Sequence, residues 1–150
     1  MANEHAKPSI PYWHLWTDSE GISRQSRCWL TEFDLKSMSG AAAPQWQGNK
    51  TTSEMTVMVT VQPIGWVGTW HENPKPQWII PLSGRWFVES MDGERVEMGA
   101  GEISFGADQA TRSRDGKIGH RSGTVGDEQA VLMIIQFDGP IQSQTPCPFR

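Results

Sequence analysis

The clearest pattern in the chain is alternation. From Glu54 to Gln62, Val57, Val59 and Val61 fall on one side and Thr56, Met58 and Thr60 on the other, the period of two of an extended strand. Further short β-rich runs follow at near-regular spacing. Gln77–Leu82 stops at Ser83-Gly84, and Arg85–Ser90 runs to Asp92-Gly93, a hairpin signal answered by a returning strand at Arg95–Met98. Gly99-Ala100-Gly101 turns the chain into a strand at Glu102–Phe105. A charged, glycine-bearing loop over 112–119 leads to another at His120–Val125, and Ala130–Phe137, the most continuous apolar run, reads as a central strand. No segment carries a long helical period with caps, so the pattern predicts an all-β sandwich or barrel without a fixed-period repeat.

The rest of the chain is less regular. Residues 1–28 read as an irregular N-terminal arm in which Pro8 and Pro11 bracket Ile10. Tyr12, Trp13, Leu15 and Trp16 make an aromatic patch there that must bury itself on its own barrel or on a partner subunit. Cys28–Leu35 alternates enough for a short strand, 36–52 is small and polar and reads as a loop, and 139–150 reads as a tail.

Composition narrows the class. A chain of 150 residues makes one domain, 1–150, with a single core. A charged fraction of 20% and a net charge of −4, with both signs scattered, argue against a nucleic-acid patch or a polybasic membrane surface. No apolar run approaches the ~20 residues of a membrane span, and the first residues lack the apolar core of a signal peptide. The expectation is a soluble cytoplasmic protein. Two cysteines are too few for a disulfide framework. Cys28, beside Trp29, reads as a buried thiol and Cys147, in a Pro-Cys-Pro-Phe tail, as an exposed one; neither has the neighbours of a nucleophile. Eight tryptophans suit a bulky core, with a few lining a cavity for a flat or aromatic ligand.

The candidate chemistry concentrates between Gly65 and Gly84, where two apolar runs flank His71, Glu72, Asn73, Lys75 and Gln77. Polar groups between strand-like runs point to a pocket wall. The spacing is a glycine at 65, five residues, His71, one residue, Asn73, three residues, Gln77, six residues and a glycine at 84. This resembles the first motif of the cupin superfamily, in which the positions of Asn73 and Gln77 are a histidine and a glutamate. Asp92-Gly93 and Gly99-Ala100-Gly101-Glu102 look like the turns that open the second motif, with Gly99 where proline is common, and His120 then stands for its histidine. The match covers about residues 54–138 and is similar to small single-domain cupins, mostly of unassigned reaction.

The resemblance implies a double-stranded β-helix, or jelly-roll barrel, with the irregular arm outside it. Metal-type cupins look like three histidines and a glutamate around Fe, Mn, Ni, Zn or Cu. Here His71, Gln77 and His120 are the ligands only if a divalent metal (Fe, Mn, Zn or Ni) is bound, since two amides replace an imidazole and the anion. Alternation puts Glu72 on the face opposite His71 and Asn73.

The first expectation is therefore an enzyme of lyase, isomerase or cyclase type acting by acid–base chemistry on a small, partly aromatic or polyketide-like molecule. His71 and His120 would be base and acid. Gln77 would act with them and Asn73 would help orient substrate, while Trp66, Trp70, Trp78 and Trp86 are the candidate apolar walls. A metal-dependent dioxygenase and a non-catalytic small-molecule-binding module are the alternatives. Arg112, Arg114 and Lys117 read as a solvated loop that could fold over the pocket. The family also implies a homodimer, and the scattered charge implies no nucleic-acid or membrane partner.

Overall fold

The computed structural model describes residues 6–37, 43–48, 54–139 and 145–150. It is all-β, and the described residues contain no helix. The strands are β1 (Ile10–Thr17), β2 (Ser23–Leu30), β3 (Phe33–Lys36), β4 (Gln45–Gly48), β5 (Met55–Gln62), β6 (Gln77–Ser83), β7 (Arg85–Ser90), β8 (Arg95–Gly99), β9 (Ser104–Ala107), β10 (His120–Val125) and β11 (Ala130–Phe137). From β5 onward they fall where the alternation and glycine turns predict, except that β9 lies two residues later than the strand expected at Glu102–Phe105.

The strands form a six-stranded sheet in the order β2-β1-β9-β6-β11-β5, a three-stranded sheet β10-β7-β8, and a separate β3-β4 hairpin. The two larger sheets are not closed into a single hydrogen-bonded barrel. They face each other across one apolar layer: Leu15, Ile79, Ala130 and Leu132 from the large sheet meet Trp86, Val88, Val96 and Met98 from the small one. Alternation sends the neighbours of these residues to the opposite face. There Tyr12, Trp78, Phe105 and Phe137 form a second core with Cys28 and Leu30.

That outer core is covered by the C-terminal segment. Phe149 lies 5.3 Å from Trp78 and 4.8 Å from Phe105, centroid to centroid. Tyr12 Oη donates to the Phe149 carbonyl at 2.8 Å and accepts from its N–H at 3.2 Å. Cys28 and Cys147 form a disulfide across a separation of 119 residues. This corrects the reading of two thiols: they are far apart in sequence, and the tail returns over β1 and β2.

The irregular arm is corrected as well. Residues 10–30 hold β1 and β2, an antiparallel hairpin, and β1 runs parallel to β9 inside the large sheet. Pro11 sits in β1 opposite Trp29 without ending the strand. The aromatic patch packs on the chain's own sheets, with Tyr12 fully buried and Leu15 at 2% exposure, while Trp13 and Trp16 are half-buried. Cys28–Leu35 proves to be the end of β2 and the start of β3. The loop expected over 36–52 contains β4, although 38–42 and 49–53 lie outside the described residues, as does 140–144 of the tail.

The alternation of β5 is as expected, but its valines do not face the core. Val57, Val59 and Val61 are 56%, 57% and 52% exposed. Each sits directly opposite Ile135, Met133 and Val131 of β11, on the outer face.

Candidate functional site

At one end of the sandwich, the segment leading into β6 meets the start of β10. The backbones of His71 and His120 exchange both N–H···O bonds at 2.9 Å. Their imidazoles are 4.7 Å apart between centroids, tilted by 49°. This close approach depends on Gly119, whose φ is +64° and where a Cβ would lie 2.2 Å from the His71 carbonyl oxygen. Gly119 is held in turn by Ser23 Oγ, which donates to its carbonyl at 2.7 Å.

His120 is 5% exposed, and its Nδ1 lies 2.7 Å from Oδ2 of Asp108, a fully buried residue just after β9. Asp108 Oδ1 also accepts from Asn73 N at 2.9 Å and Asn73 Nδ2 at 2.7 Å. Burial alone pushes the Asp108 carboxyl up, but the adjacent His120 and the hydrogen bonds from His120 and Asn73 outweigh it and hold the pKa below its ordinary value. An ionised carboxylate only accepts, so His120 carries a proton on Nδ1. At the exposed His71, Nδ1 lies 2.8 Å from the Thr69 carbonyl, another pure acceptor. Both rings therefore have Nδ1–H engaged, and their Nε2 atoms are the groups left for chemistry.

The amides of the motif face inward along a chain of bonds. Asn73 Oδ1 accepts from Gln77 Nε2 at 2.6 Å, and Gln77 Oε1 accepts from Gln136 Nε2 at 2.8 Å. Asn73 rests over Gly106, where a Cβ would lie 2.5 Å from Nδ2. The relay Gln136–Gln77–Asn73–Asp108–His120 thus crosses from β11 and β6 to β10, tying the large sheet to the small one.

Glu72 points away from the rings. Its Oε1 accepts from Thr111 N at 3.0 Å and Thr111 Oγ1 at 2.6 Å, and Thr111 Oγ1 accepts from Gly119 N at 3.0 Å. This strap fixes the 108–119 segment. Arg112 N donates to the Gly21 carbonyl and its side chain lies over Gly21 on the β1–β2 turn, while Lys117 Nζ sits 5.2 Å from the Trp70 ring centre.

The tryptophans are divided. Trp70 is half-buried beside His71, and the Arg121 guanidinium lies 5.7 Å from its ring centre. Trp66 is 39% exposed, Trp86 is buried in the inter-sheet core, and Trp78 belongs to the outer core on the opposite side of the large sheet. A groove of about 470 Å³ between Trp13 and Arg27 and the strand β8 shares none of the site residues.

For a metal, the donor set is a poor fit. Among the described residues no group of three His, Cys, Asp or Glu side chains could hold an ion. Asp108, the nearest anion to the imidazoles, already accepts three hydrogen bonds, and both polar ends of the Gln77 amide are bonded to other amides. Sequence reasoning missed Asp108, the acidic partner of His120. Its signal was a single carboxylate directly after the short strand Ser-Phe-Gly-Ala, where a charge on a buried run needs a partner.

No family model matches this chain, and no curated protein does. Among solved structures it is similar to protein NMB1881 from Neisseria meningitidis, at 15% identity and a TM-score of 0.42, over 65% of this chain and 90% of that one. A likeness at that level carries no argument about fold family or reaction.

Proposed function

We propose that the chain is an acid–base enzyme of the cupin type, a jelly roll left open between its sheets, acting on a small, partly aromatic or polyketide-like substrate as a lyase, isomerase or cyclase. The observation that carries this reading is the His120–Asp108 pair set against His71. A buried, ionised carboxylate on Nδ1 fixes the tautomer of His120 and leaves Nε2 to exchange a proton. His71, exposed and 4.7 Å away ring to ring, supplies the second group. One ring removes a proton at carbon or oxygen and the other returns one, so the reaction is redox-neutral. Trp70, next to His71, is the aromatic surface best situated to meet a flat substrate.

Asn73 and Gln77 take a different part from the one first expected. Their polar atoms are spent on Asp108, on each other and on Gln136, so they position the carboxylate rather than contact substrate. The same saturation speaks against the dioxygenase alternative, in which Gln77 would ligate iron, and no step is assigned to a metal. The disulfide favours an oxidising compartment over the cytoplasmic expectation.

The test is wash-in of solvent deuterium into a panel of small aromatic and polyketide-like carbonyl compounds, read by mass spectrometry. The wild-type protein labels at least one of them, and His71→Ala abolishes labelling while its circular dichroism is unchanged. Equal labelling by His71→Ala removes the proposal. A compound that binds and stabilises the wild type but is recovered unlabelled favours a binding module instead.

A further inference from the structure

Three polar side chains of β10 point into the space between the sheets. The register pairs His120 with Ser90, Ser122 with Val88 and Thr124 with Trp86, and Val88 and Trp86 belong to the inter-sheet core. Two of the three are committed. Thr124 Oγ1 donates to the Pro63 carbonyl at 2.7 Å, and His120 Nδ1 is held by Asp108. Ser122 is 5% exposed, and its Oγ bonds to no described residue, although its own carbonyl accepts the Gly68 N–H at 2.8 Å. By contrast, Ser23 Oγ donates to the Gly119 carbonyl and accepts from Met91 N, and Ser90 Oγ donates to Asp92. An inward position beside valine and tryptophan calls for an apolar residue, and a buried hydroxyl without a partner is costly. Ser122 therefore keeps a donor free at the first inward position after His120.

We infer that Ser122 is a further catalytic residue, whose hydroxyl donates to the carbonyl oxygen of the substrate while the imidazoles move a proton at the adjacent carbon. The inference rests on the acid–base reading and names its substrate class, a carbonyl compound with an exchangeable proton on the α-carbon. Residues two apart on one strand face are roughly 7 Å apart. A carbonyl with its α-carbon fills that span, given contacts of about 3 Å to Nε2 at one end and to Oγ at the other.

The step balances. One Nε2 takes the α-proton, the C–H pair becomes the C=C bond of an enolate, and the C=O π pair moves onto oxygen. The Ser122 proton stays on Oγ, and its hydrogen bond strengthens as negative charge gathers on the substrate oxygen. The other imidazole, in its protonated form, returns a proton to carbon, and solvent at the exposed His71 resets the two rings. Nothing is oxidised. A serine hydroxyl suits this part because it donates without titrating and leaves proton transfer to the imidazoles.

The experiment compares wild type, Ser122→Ala and Ser122→Thr by deuterium wash-in on the carbonyl compound that the wild type labels best. Ser122→Ala is expected to lower kcat about 10²–10³-fold with KM little changed. It is also expected to melt no lower than the wild type, because no bond is lost, and Ser122→Thr to recover most of the rate. Near-wild-type labelling by Ser122→Ala overturns the inference. So does a loss of rate accompanied by a lower melting temperature or a shifted His120 nitrogen resonance, which marks a structural part. If the wild type labels nothing, the acid–base reading fails on its own, and the donor is judged by titration with 4-nitrophenolate, a planar oxyanion that stands in for the enolate. A dissociation constant raised about tenfold or more in Ser122→Ala supports it. Equal constants, or no binding to the wild type at millimolar concentrations, overturn it.

Discussion

His120 and Asp108 are joined by a 2.7 Å hydrogen bond between a buried imidazole and a fully buried carboxylate. Everything else at this end of the sandwich holds that pair in place. Asn73 donates twice to the carboxylate, Gln77 holds Asn73 and is itself held by Gln136, and the Glu72–Thr111–Gly119 strap sets the approach of His71.

Asp108→Asn should cost more than a lost surface charge. The amide oxygen cannot accept from both Asn73 and His120 in the present geometry, so either a buried donor loses its partner or His120 must move its proton to Nε2 to accept from the new amide, at about 1–3 kcal/mol. Urea denaturation should show that loss, and the two amides of the His71–His120 bridge should exchange with deuterium faster. A variant as stable as wild type, with unchanged exchange, would mean that the relay does not hold the site.

Gly119→Ala should be worse than Gly116→Ala, though both glycines have positive φ. At Gly116 a Cβ meets nothing within 4 Å, while at Gly119 it meets the His71 carbonyl at 2.2 Å. Gly116→Ala should cost about 1 kcal/mol of backbone strain; Gly119→Ala adds a displacement of the His71 backbone and should lower the thermal midpoint by several degrees more. Equal melting temperatures would contradict the close approach.

Stability should fall on mild acidification because of His14, which is fully buried on the outer face and accepts the Cys147 N–H at Nδ1. Burial lowers its pKa from 6.5 to about 3. The unfolded chain therefore binds a proton that the folded one refuses, and stability is lost progressively as pH drops from about 6.5 toward 3, by up to a few kcal/mol. Asp108, whose folded pKa is depressed, contributes stability above its ordinary 3.8 that is lost only as pH falls below that value. Between pH 6.5 and 4 His14 is opposed by Glu94, whose carboxyl is raised by burial and by Asp92 and which gains stability as it protonates, so the loss in this window comes from His14. Urea midpoints across it should flatten in His14→Asn; an identical slope in that variant would exclude His14 as the source.

Reduction should loosen the tail. The Cys28–Cys147 bridge closes 119 residues of sequence, and its loss typically costs about 2–4 kcal/mol. Calorimetry with and without reductant should show a lower midpoint, and Cys28→Ala with Cys147→Ala should match the reduced wild type. Non-reducing mass spectrometry that finds two free thiols in the purified protein would contradict the pairing.

Much of this fold was legible because local signals and tertiary context agree. Ser83-Gly84, Asp92-Gly93 and Gly99-Ala100-Gly101 sit at the turns they predict, and the strands between them follow. Where context overrides pattern, the sequence misleads. The N-terminal aromatics form β1 because β9 lies ready beside them, a parallel neighbour some ninety residues away that no local window contains. The cysteine pair is hidden for the same reason. Period two shows that Val57, Val59 and Val61 share a face but not which face is the core, since that depends on where β11 puts its own alternation. At the site, His71 and His120 were legible from spacing, and the amides at 73 and 77 as departures from it. Asp108 was not, because its role arises from a contact between β9 and β10 that leaves no mark along the chain beyond a lone carboxylate after a buried strand.

The measurement that reaches the central claim without a known substrate is nitrogen-15 NMR of the imidazole rings in the wild-type protein at neutral to mildly basic pH. Neutral His71 and His120 should each appear as the tautomer protonated at Nδ1 with an unprotonated Nε2, and the His120 Nδ1 proton should be shifted downfield by its bond to an ionised Asp108. A His120 ring protonated at Nε2 instead, or an Asp108 carboxyl that remains protonated at that pH, would contradict it.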